Sequence, residues 1–111
     1  MKQKRNQGPD PAVLSQFRKA LDEVYGQRIE RVVLYGSRAR NDAAEDSDYD
    51  IAVFIIGMNS LWQEAQTLAP IQLRLLDSTG ASVDTRPLPA DSWRDMTSPI
   101  IREIRREGLE L

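Results

Sequence analysis

Two aspartates, Asp48 and Asp50, stand two residues apart where a polar stretch gives way to the apolar run IAVFII. Residues two apart in an extended strand point to the same face, so we expect the two carboxylates to lie side by side. Close carboxylates repel each other and raise at least one pKa unless a cation lies between them. An isolated Asp-x-Asp is more often a pair of solvated turn residues, so its surroundings must decide.

The pair Gly36-Ser37 directly follows the largely apolar stretch IERVVLY. A glycine at the end of a buried strand lets a phosphate approach the backbone, and a serine hydroxyl with exposed N–H groups can hold anionic oxygens. Taken alone, the same pair is typical of an ordinary strand-to-helix turn with serine as the N-cap.

A third carboxylate, Asp84, lies within the stretch ASVDTRPL, which is predicted to form another strand. An aspartate in a buried strand is unfavourable without a partner, and three carboxylates on adjacent strands form a site for divalent cations. The alternative is an exposed edge residue that faces water. The chain has no cysteine and no histidine, so a metal site here must use oxygen ligands, which favour hard cations such as Mg²⁺, Mn²⁺ or Ca²⁺.

The elements that must position these residues follow from hydrophobic periodicity and from the placement of glycine, proline and serine. The predicted order is a helix from Asp10-Pro11 to Gly26, strands from Ile29 to Tyr35 and from near Asp48 to Gly57, a helix between Asn59-Ser60 and Thr79-Gly80, a strand from Ala81 to Leu88, and a helix from Ser98-Pro99 to Gly108. This order predicts a mixed α/β (α+β) unit, in which helices pack on a small mixed β-sheet.

Single residues refine this prediction. Pro70 is expected to kink or split the second long helix. Tyr49 points away from Asp48 and Asp50, so it is assigned to the core. Trp62 and Trp93 are interpreted as packing anchors.

Composition limits the class of protein. The chain has 111 residues, which favours a single domain, at residues 10–111. The Gly8-Pro9-Asp10-Pro11 cluster marks the end of a flexible tail at residues 1–9. The net charge of −2 argues against a dedicated nucleic-acid surface. No apolar run approaches the ~20 residues that span a membrane, and the start lacks the apolar core of a secretory leader, so a cytoplasmic protein is expected.

Residues 38–47 separate Ser37 from Asp48, and the spacing Gly-Ser, ten residues, Asp-x-Asp completes a recognisable motif. The segment LYGSRARNDAAEDSDYDIAVF, residues 34–54, resembles the minimal nucleotidyltransferase (MNT) branch of the DNA polymerase beta-like nucleotidyltransferase superfamily. That branch includes the antitoxins of HEPN–MNT toxin–antitoxin pairs. Asn41 stands where many members have glycine, and asparagine is the best substitute in a left-handed turn.

The resemblance implies the nucleotidyltransferase fold and a role for each motif residue. Asp48, Asp50 and Asp84 would bind Mg²⁺ (or Mn²⁺) and act in catalysis, with Asp84 also able to accept a proton. Gly36 and Ser37 would hold the terminal phosphates of a nucleoside triphosphate. Arg38 and Arg40 would contact the phosphates or the acceptor, with a solvated helix face as the alternative interpretation.

The implied reaction transfers AMP from ATP to an acceptor hydroxyl, here a tyrosine of a partner HEPN toxin, so that the chain acts as an antitoxin. Two alternatives stay open. The chain could neutralise its partner by binding alone, without catalysis, or it could modify a small molecule, as aminoglycoside nucleotidyltransferases do. The sequence leaves the choice of nucleotide and acceptor open, and it does not distinguish a monomer from a homo-oligomer or a hetero-oligomer.

Overall fold

The structure, a computed structural model, describes residues 9–44 and 46–111, so most of the expected tail at residues 1–9 lies outside the described residues. Within these described residues, four helices and four strands follow one another, with two short 3₁₀ turns. Their bounds are α1 Pro11–Tyr25, a 3₁₀ turn Gly26–Arg28, β1 Ile29–Tyr35, α2 Ser37–Arg40, β2 Tyr49–Ile55, α3 Leu61–Thr79, β3 Val83–Pro89, a 3₁₀ turn Ala90–Arg94, α4 Pro99–Glu107 and β4 Leu109–Glu110.

The strands form one four-stranded mixed sheet in the order β3-β2-β1-β4. Strand β1 pairs antiparallel with β2 and with β4, whereas β2 and β3 run parallel. The predicted mixed sheet with helices packed on it is therefore confirmed. The sequence analysis did not predict β4, because a strand of two residues is too short to show an alternating pattern.

One face of the sheet is covered by α1 and α3, which together bury the larger apolar core. The residues of this core with the least exposure are Phe17, Leu21, Val32, Leu34, Ile51, Val53, Ile55 and Leu68. Residues 51–55 of β2 form an unbroken apolar run because helices cover both faces of the strand there.

The opposite face carries a smaller core beneath α4 and the 3₁₀ turn at 90–94. Its buried members are Val33, Tyr35, Ala52, Phe54, Ile101 and Ile104. The Trp93 ring meets Phe54 edge-on, with ring centroids 5.4 Å apart, so the prediction that Trp93 is a packing anchor is confirmed.

Helix α3 differs from the sequence prediction at Trp62. At Pro70, where a kink or a split was expected, the helix is not split. Trp62 is 70% exposed, so its assignment as a packing anchor is wrong. The buried side of α3 is formed by Glu64, Leu68, Ile71 and Leu75, and the 3.6-residue period turns Trp62 to the opposite side. No helix in the described ranges is long and apolar enough to cross a membrane.

Candidate active site

A row of three polar side chains crosses the sheet at the carboxyl end of β1 and the amino ends of β2 and β3. Tyr35 pairs with Asp50, and Asp50 pairs with Asp84. Residues directly opposite each other on neighbouring strands share a face, and Tyr35 belongs to the core on the α4 side. The structure therefore brings Asp50 and Asp84 together on that face. Asp48 is exposed and just precedes β2.

Asp50 carries the electrostatic signature of this row. Its partial burial raises the pKa of its carboxyl, and the negative charges of Asp84 and Asp48 raise that pKa further. The Arg86 guanidinium opposes these effects without cancelling them. The negative charge around Asp50 is therefore not fully neutralised by neighbouring side chains. A cation bound here would reduce the repulsion between the carboxylates.

The three aspartates suit a hard divalent cation in their chemistry, because they offer oxygen donors and excess negative charge. Within residues 9–44 and 46–111, no three acidic side chains stand close enough together to hold a metal ion as they are placed. Asp50 and Asp84 are paired neighbours, and Asp48 is exposed outside the strand.

Gly36 lies against the Asp50 carboxylate. Its φ of 79° and ψ of −159° fall in a region that is essentially open to glycine alone. A Cβ atom placed on Gly36 would lie 2.5 Å from Oδ2 of Asp50. Glycine is therefore needed here for both backbone conformation and space. Asn41 has a φ of 66°, which confirms the left-handed turn inferred from the sequence.

Glu107, at the end of α4, holds the glycine turn from the other side. The Gly36 N–H donates to Oε1 of Glu107 over 2.9 Å, and Nη1 of Arg40 donates to the same oxygen over 3.0 Å. Arg40 also pairs with Asp42 through its Nε, at 3.1 Å. The N–H group that the sequence assigned to a phosphate is thus bonded to a carboxylate, which a phosphate oxygen would have to displace. Ser37 follows as the first residue of α2.

Arg38 points away from the aspartate row. Its side chain is buried, and its Nε and Nη2 donate to the Ser47 carbonyl oxygen over 3.2 and 2.9 Å. Its guanidinium lies 4.6 Å from the ring centroid of Tyr49, a residue of the core beneath α1 and α3. Arg38 therefore anchors the loop that leads to Asp48, and the structure does not bring its side chain together with Asp50 and Asp84.

Three residues of this neighbourhood were not predicted to belong to the site: Tyr35, Arg86 and Glu107. Nε of Arg86 donates to the Tyr35 hydroxyl over 3.2 Å, and burial raises the pKa of that hydroxyl. Arg86 could have been found, since it stands two residues after Asp84 and so shares its face. Glu107 gave no local signal, because 71 residues separate it from Gly36.

Known proteins provide an independent comparison. The family described as "Nucleotidyltransferase domain" matches residues 14–107. A candidate protein adenylyltransferase of Methanocaldococcus jannaschii, MJ0141, is 32% identical over 99 residues, which cover 89% of this chain and 95% of that protein.

Two solved structures have the same fold. One is a candidate minimal nucleotidyltransferase, with a TM-score of 0.58 and 27% identity, and the match covers 93% of this chain and 97% of that one. The other is a toxin–antitoxin structure with AMP-PNP, with a TM-score of 0.59 and 17% identity, and the match covers 86% of this chain and 69% of that one.

Proposed function

The chain belongs to the nucleotidyltransferase domain family and is a nucleotidyltransferase, and from that premise we propose that it transfers AMP from ATP to a hydroxyl of a partner protein. The observation that carries the proposal is the row of Tyr35, Asp50 and Asp84 beside the Gly36 turn. The similarity to a candidate protein adenylyltransferase supports AMP as the transferred group and a protein as the acceptor. The AMP-PNP of the toxin–antitoxin neighbour supports ATP as the donor.

In the proposed reaction, the acceptor hydroxyl oxygen forms a bond to the α-phosphorus of ATP. The bond from that phosphorus to the oxygen shared with the β-phosphate breaks, and pyrophosphate leaves with the bonding electron pair. Asp84 accepts the hydroxyl proton, which its carboxylate can reach because it is exposed on an edge strand. A bound Mg²⁺ or Mn²⁺, held by Asp48, Asp50 and Asp84, would neutralise charge on the triphosphate.

The remaining motif residues have supporting roles in this proposal. Gly36 leaves the Asp50 carboxylate room to face the nucleotide, and Ser37 holds the terminal phosphates together with the Gly36 backbone. Arg40 lies exposed beside Gly36, where it can exchange Glu107 for a phosphate oxygen. Arg38 would act through the loop it anchors.

A protein acceptor fits the openness of the site. Asp48 and Asp84 are both exposed, and β3 is an edge strand, so a large acceptor can approach from the side. We propose a tyrosine of a HEPN-type toxin as this acceptor, with the chain as its antitoxin. The toxin–antitoxin complex among the structural neighbours supports this choice of partner.

The test is to co-express the chain with the product of its neighbouring gene and to weigh that product by mass spectrometry. We expect a mass increase of one adenylyl group, located on a tyrosine by peptide mapping. With purified proteins, label on the α-phosphate of ATP should be transferred in the presence of Mg²⁺ or Mn²⁺, whereas label on the γ-phosphate should not.

The test variant is Asp50→Asn, and its matched control is Asp77→Asn, because Asp77 is exposed on α3, on the other side of the sheet. Transfer should be lost in Asp50→Asn and kept in Asp77→Asn. Transfer that persists in Asp50→Asn would refute the proposed site. A partner that is bound but never modified would instead support neutralisation by binding alone.

A further inference from the structure

The side chain of Glu107 is bonded to two groups that the proposed function assigns to the phosphates of the nucleotide. Its Oε1 accepts hydrogen bonds from the Gly36 N–H over 2.9 Å and from Nη1 of Arg40 over 3.0 Å. Backbone N–H groups and guanidinium groups are donors that proteins use to bind phosphate oxygens, and both also bind carboxylates. Glu107 thus takes the place of a phosphate oxygen at both donors.

These two bonds hold Glu107 out of water. Its side chain is only 12% exposed, whereas that of Arg40 is 44% exposed. Glutamate side chains mostly lie in water, and a carboxylate withdrawn from water needs donors that replace it. The Gly36 N–H and Arg40 supply that replacement. Because a residue has a single backbone N–H to donate, Glu107 and a nucleotide phosphate compete for Gly36.

The backbone around Glu107 is fixed to the strand that leads into the glycine turn. Strand β4 follows α4 directly and pairs antiparallel with β1, and the Leu111 N–H donates to the Val32 carbonyl oxygen over 2.9 Å. One turn earlier on α4, Ile104 is fully buried in the smaller core. Moving the end of α4 away from the turn would break these contacts. Rotating the Glu107 side chain between its staggered conformers releases the two bonds at a lower cost.

We propose that Glu107 is a positioning residue that competes with the nucleotide for the glycine turn. Before ATP binds, the carboxylate keeps the Gly36 N–H and Arg40 in place for a phosphate. The terminal phosphates of ATP then displace the carboxylate from both donors, and its return after transfer helps to displace pyrophosphate. This inference rests on the proposed function, because it uses the phosphate position that the proposed function assigns to the turn.

Competition of this kind lowers the affinity for the nucleotide, so a weaker competitor should raise it. Glu107→Gln keeps the size of the side chain and an oxygen that can accept the same two bonds, but it removes the charge. Hydrogen bonds to an ionised group are roughly twice as strong as neutral ones. We therefore expect Glu107→Gln to bind ATP and inorganic pyrophosphate about tenfold more tightly than the natural chain does. A purely structural residue would give no such gain.

Isothermal titration calorimetry with ATP or pyrophosphate, each with Mg²⁺, measures these affinities without an acceptor protein. The matched control is Glu103→Gln, one turn earlier on α4. Glu103 is half-buried and its charge acts on Asp50, whereas the glycine turn is bonded to Glu107. The control removes the same charge near the site and leaves the competitor in place. We expect its affinities to stay within about threefold of the natural values.

A second measurement uses the natural chain and does not depend on how a variant folds. In NMR spectra, the resonances of the Gly36 amide and of the Glu107 side-chain carboxyl should both shift as ATP is added. Each group exchanges its partner when a phosphate displaces the carboxylate, so the two resonances should follow the same titration curve.

Three results would overturn this inference while leaving the proposed function intact. They are binding by Glu107→Gln that is unchanged or weaker, an equal gain of affinity in Glu103→Gln, and a Glu107 carboxyl resonance that does not respond to bound ATP. If ATP binds neither the natural chain nor Glu107→Gln, the phosphate position at the turn is wrong, and the proposed site fails together with the inference.

Discussion

The fold shifts the pKa values of two carboxylates, on opposite faces of the sheet, in opposite directions. Glu64 is 2% exposed on the inner side of α3. It accepts hydrogen bonds from the Tyr25 hydroxyl at 2.9 Å, from Nη2 of Arg28 at 3.2 Å and from the Asn59 N–H at 3.3 Å. Burial alone would raise its pKa, yet these bonds bring the pKa below its ordinary value. On the α4 face, burial and two neighbouring aspartates raise the pKa of Asp50.

The difference distinguishes a structural carboxylate from one held ready for a ligand. The fold supplies Glu64 with donors, so its charge stabilises the packing of α3 against α1. The fold surrounds Asp50 with like charge that Arg86 offsets only in part, and Gly36 leaves its carboxylate room, so a bound cation would stabilise its charge further. One face of the sheet thus holds the fold together, and the other combines a smaller core with the site.

The largest expected effect is on catalysis, in Asp50→Asn. We expect the rate of nucleotide transfer to fall on the order of a thousandfold, because the amide cannot help to hold the cation that neutralises the triphosphate. The melting temperature without metal should rise slightly, because the substitution removes a charge that its neighbours repel. Transfer assays and calorimetry on one preparation measure both, and a variant that is less active because it is less stable would contradict the assignment.

Glu64→Ala should show the reverse pattern. Removing the carboxylate leaves the Tyr25 hydroxyl and one side of Arg28 without their acceptor inside the protein, which should cost about 2–3 kcal/mol of unfolding free energy. Urea denaturation measures this loss, and the exposed Glu23→Ala on α1 is the control that should change little. Below the unfolding transition, the folded variant should keep its rate of transfer, since Glu64 lies on the other face of the sheet.

Gly36→Ala tests the contact between the glycine turn and Asp50. We expect a loss of about 2 kcal/mol or more, because alanine is strained at this φ and ψ and its Cβ meets the Asp50 carboxylate. Gly26→Ala is the matched control, since Gly26 has a φ of 59° and a ψ of −128°, close to those of Gly36, but open space around the position of a Cβ. Stability and transfer should both suffer more in Gly36→Ala. Equal losses in the two variants would show that backbone strain alone acts.

The sequence specified the fold well wherever a signal was local. The caps at Asp10, Ser60 and Ser98 begin helices where they were predicted, and the apolar run after Asp50 forms the strand β2 that it predicted. The exposure of Trp62 was not predictable in the same way. Apolar residues occur on both sides of α3, and periodicity alone does not show which side meets the sheet.

The candidate site was predictable in part for a related reason. The spacing of Asp48 and Asp50 is local, and strand pairing then placed Asp84 beside Asp50. The contact of Glu107 with Gly36 depends on how α4 lies across the sheet, and the inward turn of Arg38 depends on the path of the loop ending at Ser47. Both are tertiary features, which no short motif encodes.

The smallest expected effect is the opposite pH dependence of the two carboxylates. The folded pKa of Glu64 lies below its ordinary value of 4.5, so its stabilisation is complete above that value and is lost as the pH falls through the folded pKa. The folded pKa of Asp50 lies above its ordinary value of 3.8, so its contribution is favourable below that value and is lost as the pH rises through the folded pKa. At neutral pH and without metal, Glu64→Gln should therefore be less stable than the natural chain and Asp50→Asn more stable. On acidification, the Asp50 difference should shrink as the pH falls towards 3.8, whereas the Glu64 difference should persist down to 4.5 and shrink only below it. Urea denaturation at several pH values measures both. If Glu64→Gln and Asp50→Asn changed the stability at neutral pH in the same direction, the opposite pKa shifts of Glu64 and Asp50 would be contradicted.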